Sequence, residues 1–166
     1  MRWTVEQKEI DRLQHEYTLR HAVGRCLHIG CGMKKIAGAV NLDPNPERRP
    51  WSDVAGDGFR LPFLDGVFDS VVSSHVLPLF ADINAVLREM ARVLVVGGKM
   101  AHVVPDLRYA PDRFCSHWRF EKQATGWKGP EAFRASLGGL DDVLSIVVIE
   151  SFESFNWSFK VVMEKI

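Results

Sequence analysis

Cysteine is scarce in this chain, and the little there is forms no pattern. Cys26, Cys31 and Cys115 make no CxxC pair and no zinc-ligand spacing, so neither a disulfide framework nor a metal site is expected. An odd count, with no leader-like segment ahead of it, predicts a reducing, cytoplasmic setting. The N-terminus carries Glu6, Lys8, Glu9, Asp11 and Arg12 instead of an apolar run. No apolar stretch approaches the length of a bilayer span, and no membrane partner is expected. Net charge is missing too, because 21 Lys and Arg are matched by 21 Asp and Glu. Without a broad positive field, a nucleic-acid partner is not expected. There is no internal repeat and no low-complexity linker.

What is present is enough for one domain: 166 residues, 46% of them apolar. Thr4 is positioned to cap a helix over Val5–Ala22, with an apolar stripe of Ile10, Leu13, Tyr17 and Leu19. Strands are predicted at Arg25–Ile29, Ala39–Leu42, Ser52–Ala55, Phe68–Ser73 and Lys99–Val104. Several lack polar alternation, the mark of strands buried on both faces of a parallel sheet. Asp82–Leu94 reads as an amphipathic helix stopped by Gly97-Gly98, and Pro130–Leu137 as a helix with proline in its first turn. Leu144–Glu150 and Trp157–Met163 predict a closing hairpin. Alternating strands and helices imply an α/β sheet with helices on both faces.

Within this pattern the stretch CLHIGCGMKK, residues 26–35, runs from a strand into a glycine turn. Ligands of open α/β sheets sit beyond the carboxyl ends of the strands, near the switch in strand order. Gly30 and Gly32 let backbone approach a ligand there. Asp43, at the end of the next strand, can accept hydrogen bonds from both hydroxyls of a ribose, or can be a solvated turn carboxylate. Asp57 can accept from an adenine amino group, or can simply stabilise a turn. A dinucleotide fingerprint needs a third glycine where Lys35 stands. The turn therefore suits a ligand with ribose and adenine but no pyrophosphate, and a nicotinamide oxidoreductase is the poorer reading.

Five segments, LHIGCG, VNLD, GDGFRLPFLDGVFDSVVSSHVL, LREMARVLVVGGKM and VVPDL, fall in order across 27–107. Together they resemble the class I S-adenosylmethionine-dependent methyltransferases, specifically the small methyltransferase type 11 group. The resemblance implies a single-domain Rossmann-like fold: a seven-stranded, mostly parallel sheet with the last strand antiparallel. Residues 1–24 would form an N-terminal helix packed on a domain at 25–166, with 107–129 as an acceptor-side loop. S-adenosyl-L-methionine would be the cofactor. Carried over by position, Gly30, Cys31 and Gly32 would pass beneath its methionine end, Asp43 would hold the ribose, and Asp57 with Gly58 would face the adenine. Ser73, Ser74 and His75 would wall the methionine part and the acceptor. The chain departs from the family pattern at Lys34, at Pro78-Leu79, where Glu-His is common, and at Val95-Val96, where Lys-Pro is common.

In such an enzyme the methyl group is already activated and the protein aligns the acceptor. His75 can serve as a base, or can hydrogen-bond the cofactor loop and hold its shape. His28 and His102 lie inside strands and read as packed histidines. Tyr109–Gly129 gathers His117, Trp118, Arg119, Phe120, Trp127 and Lys128, with Arg108 and Arg113 nearby. Those side chains can hold a flat acidic acceptor, or can pack as a loop. Asp106 either touches the acceptor or caps a turn; Tyr17 can close over the cofactor or pack in the core, a packing that Trp3 and Val5 would continue. The expected reaction is methyl transfer to a small molecule on oxygen or carbon. The alternative is a noncatalytic methyltransferase-like module supporting a partner protein, motivated by Pro78-Leu79.

Overall fold

Thr4 and Gln7 start the first helix. The Thr4 hydroxyl accepts from the Gln7 N–H, and the Gln7 side chain accepts from the Thr4 N–H, a reciprocal cap that satisfies two end donors. The computed structural model describes residues 4–48, 50–109, 126–153 and 158–166. Helix α1 covers Val5–His21. Its buried face is Gln7, Ile10, Gln14 and Thr18, whereas Leu19 is exposed and Leu13 and Tyr17 are half-buried. The expected apolar stripe is therefore displaced toward a polar one, because this helix borders a cleft as well as the sheet.

The strands are β1 (Cys26–Ile29), β2 (Val40–Leu42), β3 (Phe68–Ser74), β4 (Leu94–Pro105), β5 (Leu144–Ser151) and β6 (Ser158–Lys165). They form one sheet in the order β2-β1-β3-β4-β6-β5. The first three pairings are parallel, and β6 runs antiparallel to both neighbours. This is the α/β Rossmann-like arrangement, with six strands among the described residues against the seven expected. The strand expected at Ser52–Ala55 contracts to one parallel bridge between Leu42 and Val54. Pro44, Pro46 and Pro50 precede that segment and withhold N–H donors, and Gly56 follows it.

Helix α2 (Ile83–Val93) is capped by Asp82, whose carboxylate accepts from the Ala85 N–H at 3.0 Å. It ends one residue earlier than predicted, and β4 begins at once, passing through Gly97-Gly98 with a register shift opposite Phe68–Ser70. Helix α3 covers Pro130–Ser136. Alternate residues of the strands feed two cores. Leu27, Val71, Met100 and Val161 pack with Leu87 and Met90 of α2 and Phe133 of α3. Cys26, Val72, Ala101 and Val162 pack with Tyr17 on the opposite face, under α1. Helices thus cover both faces of the sheet, which suits its parallel half. The chain leaves β1 for β2 and then crosses to β3 on the other side. This makes the carboxyl ends of β1 and β3 the topological switch point.

Candidate functional site

Gly30 ends β1 with φ 65°, and Gly32 follows with φ 53°, a region that L side chains rarely adopt. A Cβ on Gly30 would run into Val76 Cγ2, whereas one on Gly32 would meet nothing within 4 Å. The first glycine is needed for packing as well as φ; the second leaves open space. The turn is tied to β2 by Gly30 N–H donating to Leu42 O at 2.8 Å. Asp43 then closes it: Oδ2 accepts from the Gly32 N–H and Oδ1 from the Asn45 N–H, each at 2.9 Å. Asp43 is buried, and each oxygen retains a lone pair for a ligand hydroxyl.

Two clefts meet at this turn. The larger, about 530 Å³, lies between Asp43 on one side and Asp57, Gly58, Leu79 and Phe80 on the other. Phe59 stands edge-on to Phe80, with centroids 5.3 Å apart, and a Cβ on Gly58 would lie 2.6 Å from the Phe80 ring. Phe59 and Phe80 thus give the cleft an aromatic wall. Asp57 is exposed at its rim, with Oδ1 accepting from the Phe59 and Arg60 N–H groups. Of the Pro78-Leu79 departure, Pro78 is buried in a 3-10 turn and Leu79 lines this cleft. The smaller cleft, about 300 Å³, lies between the glycine turn and the polar face of α1, with Asp11, Gln14, His15 and Thr18 on the helix side. Gly30, Ser74 and His75 line both.

The candidate site residues divide between cleft and core. Gly30, Asp43, Asp57, Gly58, Ser74 and His75 border the larger cleft, and Cys31 and Gly32 the smaller. The Cys31 thiol is pushed up to about 11, chiefly by burial and then by Asp43, so it is a poor nucleophile at neutral pH. Ser73 turns into the sheet, where its hydroxyl pairs with His102 Nδ1 at 2.8 Å. His102 is fully buried, its Nε2 has no partner among the described residues, and burial pushes its pKa down to about 3. His28 is packed: Asn41 Oδ1 accepts from its Nδ1 at 3.1 Å, and burial lowers its pKa. It nevertheless borders the smaller cleft.

His75 sits just past β3 with φ 59°, the one described non-glycine residue with positive φ. Its N–H donates to Val103 O at 2.8 Å, and its Nε2 lies 3.1 Å from Ser158 Oγ. Burial is the first cause of its pKa falling to about 4; Lys34 lowers it further and Asp11 opposes this. The ring is neutral at pH 7, and its Nε2 is already engaged.

Farther along, Asp106 is buried and takes a bidentate bond from Arg108, with Arg108 Nη2 2.7 Å from Oδ2. It also accepts from the Arg108 N–H, which is the turn-capping reading. Trp127 is buried, donates from Nε1 to Ser136 Oγ at 2.9 Å and stands edge-on to Phe133, so it belongs to the core. Tyr17 packs edge-on to Phe152. Trp3, Arg113, Cys115, His117, Trp118, Arg119 and Phe120 lie outside the described residues, as does most of the 107–129 loop. Among the described residues no cluster of His, Cys, Asp or Glu suits a metal ion, and no helix is long and apolar enough to cross a membrane. Sequence reasoning missed Gln14, Thr18 and Ser158. The spacing Gln7, Gln14, Thr18 on one helical face was the available signal for the first two.

Residues 27–102 match the model of the methyltransferase domain family, just under half of the chain. A demethylmenaquinone methyltransferase of Mycolicibacterium vanbaalenii is 57% identical over 47 residues, which is 28% of this chain and 21% of that protein. The match therefore spans about a fifth of the length of that relative. Two solved structures share the fold. The PH0226 protein of Pyrococcus horikoshii superposes with a TM-score of 0.68 at 18% identity, covering 98% of this chain and 92% of that one. Geranyl diphosphate C-methyltransferase of Streptomyces coelicolor, in complex with Mg2+, geranyl diphosphate and S-adenosyl-L-homocysteine, gives 0.71 at 12% identity over 98% and 80%.

Proposed function

We propose that this chain, which resembles the class I methyltransferases in sequence over 27–102 and in fold throughout, is an S-adenosylmethionine-dependent methyltransferase acting on a small-molecule acceptor. The observation that carries the reading is the glycine turn closed by Asp43 at the switch point, with a two-lobed cleft around it. The residues present fit the cofactor. Asp43 keeps one lone pair on each oxygen for the ribose hydroxyls. The larger cleft between Leu42, Leu79 and Phe80, with Asp57 and Gly58 at its edge, accepts a flat adenine. The smaller, polar lobe between Gly32 and Gln14 accepts an amino-acid tail.

When bound, S-adenosylmethionine supplies an electrophilic methyl group. The chain's own task is to hold and align. Gly30, Ser74 and His75 stand where the two lobes meet, and they border the space in which an acceptor must lie in line with the methyl group. Near-attack alignment of that kind is worth up to about 7–11 kcal/mol. Small acceptors are supported by the names of the relatives, and oxygen or carbon is the acceptor atom proposed.

Isothermal titration calorimetry with S-adenosylhomocysteine tests the reading. One-to-one binding is expected, followed by methyl transfer from S-adenosylmethionine in an acceptor screen. A folded protein that neither binds S-adenosylhomocysteine nor carries ligand through purification would instead be a noncatalytic module.

A further inference from the structure

His75, Ser158 and Gln14 come from three distant parts of the chain and form one hydrogen-bond relay. Gln14 Nε2 donates to Ser158 Oγ at 2.9 Å, and Ser158 Oγ lies 3.1 Å from His75 Nε2. Gln14 and Ser158 are both buried. A serine hydroxyl has a single proton. Its oxygen accepts from the Gln14 amide, and among the described residues the acceptor within reach of that proton is His75 Nε2, which sets the direction of the relay. The imidazole is then the tautomer protonated at Nδ1. Nδ1 has no partner among the described residues, on a side chain that borders both clefts. The left-handed backbone of His75 is the kind of cost met where a side chain must be aimed.

We propose that His75 acts as a neutral hydrogen-bond donor through Nδ1–H, with Gln14 and Ser158 as positioning residues that set its tautomer, and that the acceptor carries an oxygen beside or at the atom that takes the methyl group. This rests on the methyltransferase reading above. The natural class is an enolate or phenolate. Its electron pair forms the new bond to the methyl carbon while the carbon–sulfur bond breaks and leaves its pair on sulfur. The acceptor's proton has gone to solvent beforehand, because His75 Nε2 is occupied and Nδ1 already carries one. A neutral imidazole is also the right charge state beside a sulfonium, since an imidazolium would repel it. Asp11 and His15 of α1, Lys34 of the glycine turn and His28 of β1 border the smaller cleft with His75, and Asp43 and Asp57 border the larger. Asp11 and Lys34 pair with each other, which damps their influence on the imidazole.

The test is nitrogen-15 NMR of the full chain with labelled histidine, without ligand, from pH 5 to 8. His75 is assigned by loss of its signals in His75→Gln. The expected spectrum shows Nδ1 protonated, Nε2 as acceptor and no titration in this range, in keeping with a midpoint near 4. Gln14→Glu places a carboxylate that accepts from Ser158, reverses the relay and raises the His75 midpoint by about 1–3 pH units. Ser158→Thr keeps the hydroxyl and the original tautomer, which separates the relay from simple loss of packing. A proton on Nε2 in the unaltered protein, or no response to Gln14→Glu, overturns the relay. With S-adenosylhomocysteine bound, 4-nitrophenolate is expected to shift the Nδ1–H signal and 4-nitroaniline to leave it in place. Equal response, or none to either, overturns the acceptor class. Calorimetry on the same samples keeps the two readings apart. Binding with the wrong tautomer defeats this inference alone, and the right tautomer without binding defeats the methyltransferase reading.

Discussion

The carboxylate of Asp43 accepts a hydrogen bond from the backbone N–H of Gly32 at 2.9 Å, across the mouth of the cleft. One buried side chain therefore shapes the turn and lines the larger cleft. Asp43→Ala removes both roles, and its Kd for S-adenosylhomocysteine is expected to rise at least about tenfold, a loss of about 1.4 kcal/mol. Calorimetry measures it, with circular dichroism to show an intact fold. An unchanged Kd would remove Asp43 from the site.

The two glycines of the turn separate a packing requirement from a conformational one. Gly30→Ala brings a methyl group against Val76 in a left-handed conformation and is expected to cost about 2–4 kcal/mol of stability. Gly32→Ala meets no neighbour and is expected to cost about 1–2 kcal/mol. Urea denaturation of both variants checks the order; equal losses would contradict it.

Three histidines have pKa values depressed by burial: His28, His75 to about 4 and His102 to about 3. Below the ordinary value of 6.5 the unfolded chain takes up protons that the folded chain refuses. Stability is then full above about pH 6.5 and falls as pH drops toward 3–4, by a few kcal/mol for the fully buried His102 alone. Denaturation midpoints at pH 7, 6, 5 and 4 measure the slope. His102→Asn is expected to flatten it, and an unchanged slope would assign the effect elsewhere.

Arg92 of α2 clamps the segment that leads from the cleft into β3. Its guanidinium donates to Phe63 O at 2.9 Å and Leu61 O at 3.1 Å, and pairs with Asp65 and with Glu89, which also accepts from the Leu61 N–H at 2.7 Å. Arg92→Ala strands the Phe63 carbonyl and takes a donor from the Leu61 carbonyl, which keeps the Phe63 N–H, and from the half-buried Glu89, and is expected to cost about 1–3 kcal/mol. Because Asp57–Phe59 belongs to the same segment, affinity for S-adenosylhomocysteine is expected to fall as well. Loss of stability with full affinity would show that the clamp does not reach the cleft.

Much of this was written locally. Thr4, Asp82 and Pro130 mark helix starts through the chemistry of their own side chains, and the apolar spacing of α2 follows from the 3.6-residue period. The GCG turn and Asp43 were legible because a strand, a glycine pair and a strand-end carboxylate lie within one short stretch. Such signals depend on neighbours in sequence, so the chain alone carried the α/β class, the cofactor turn and the family resemblance. The failures lay where the partner is remote. Val54 manages one bridge rather than a strand because prolines before it limit pairing. Ser73 faces His102 instead of the cleft because strand alternation turns it inward, whereas Ser74 turns out. His75 could be named as a site residue from its place after β3. The role proposed for it rests on Ser158, 83 residues away, and on Gln14, on a helix read from sequence only for its apolar stripe. A histidine's proton sits on whichever nitrogen its neighbours leave it, and those neighbours meet only when the sheet closes.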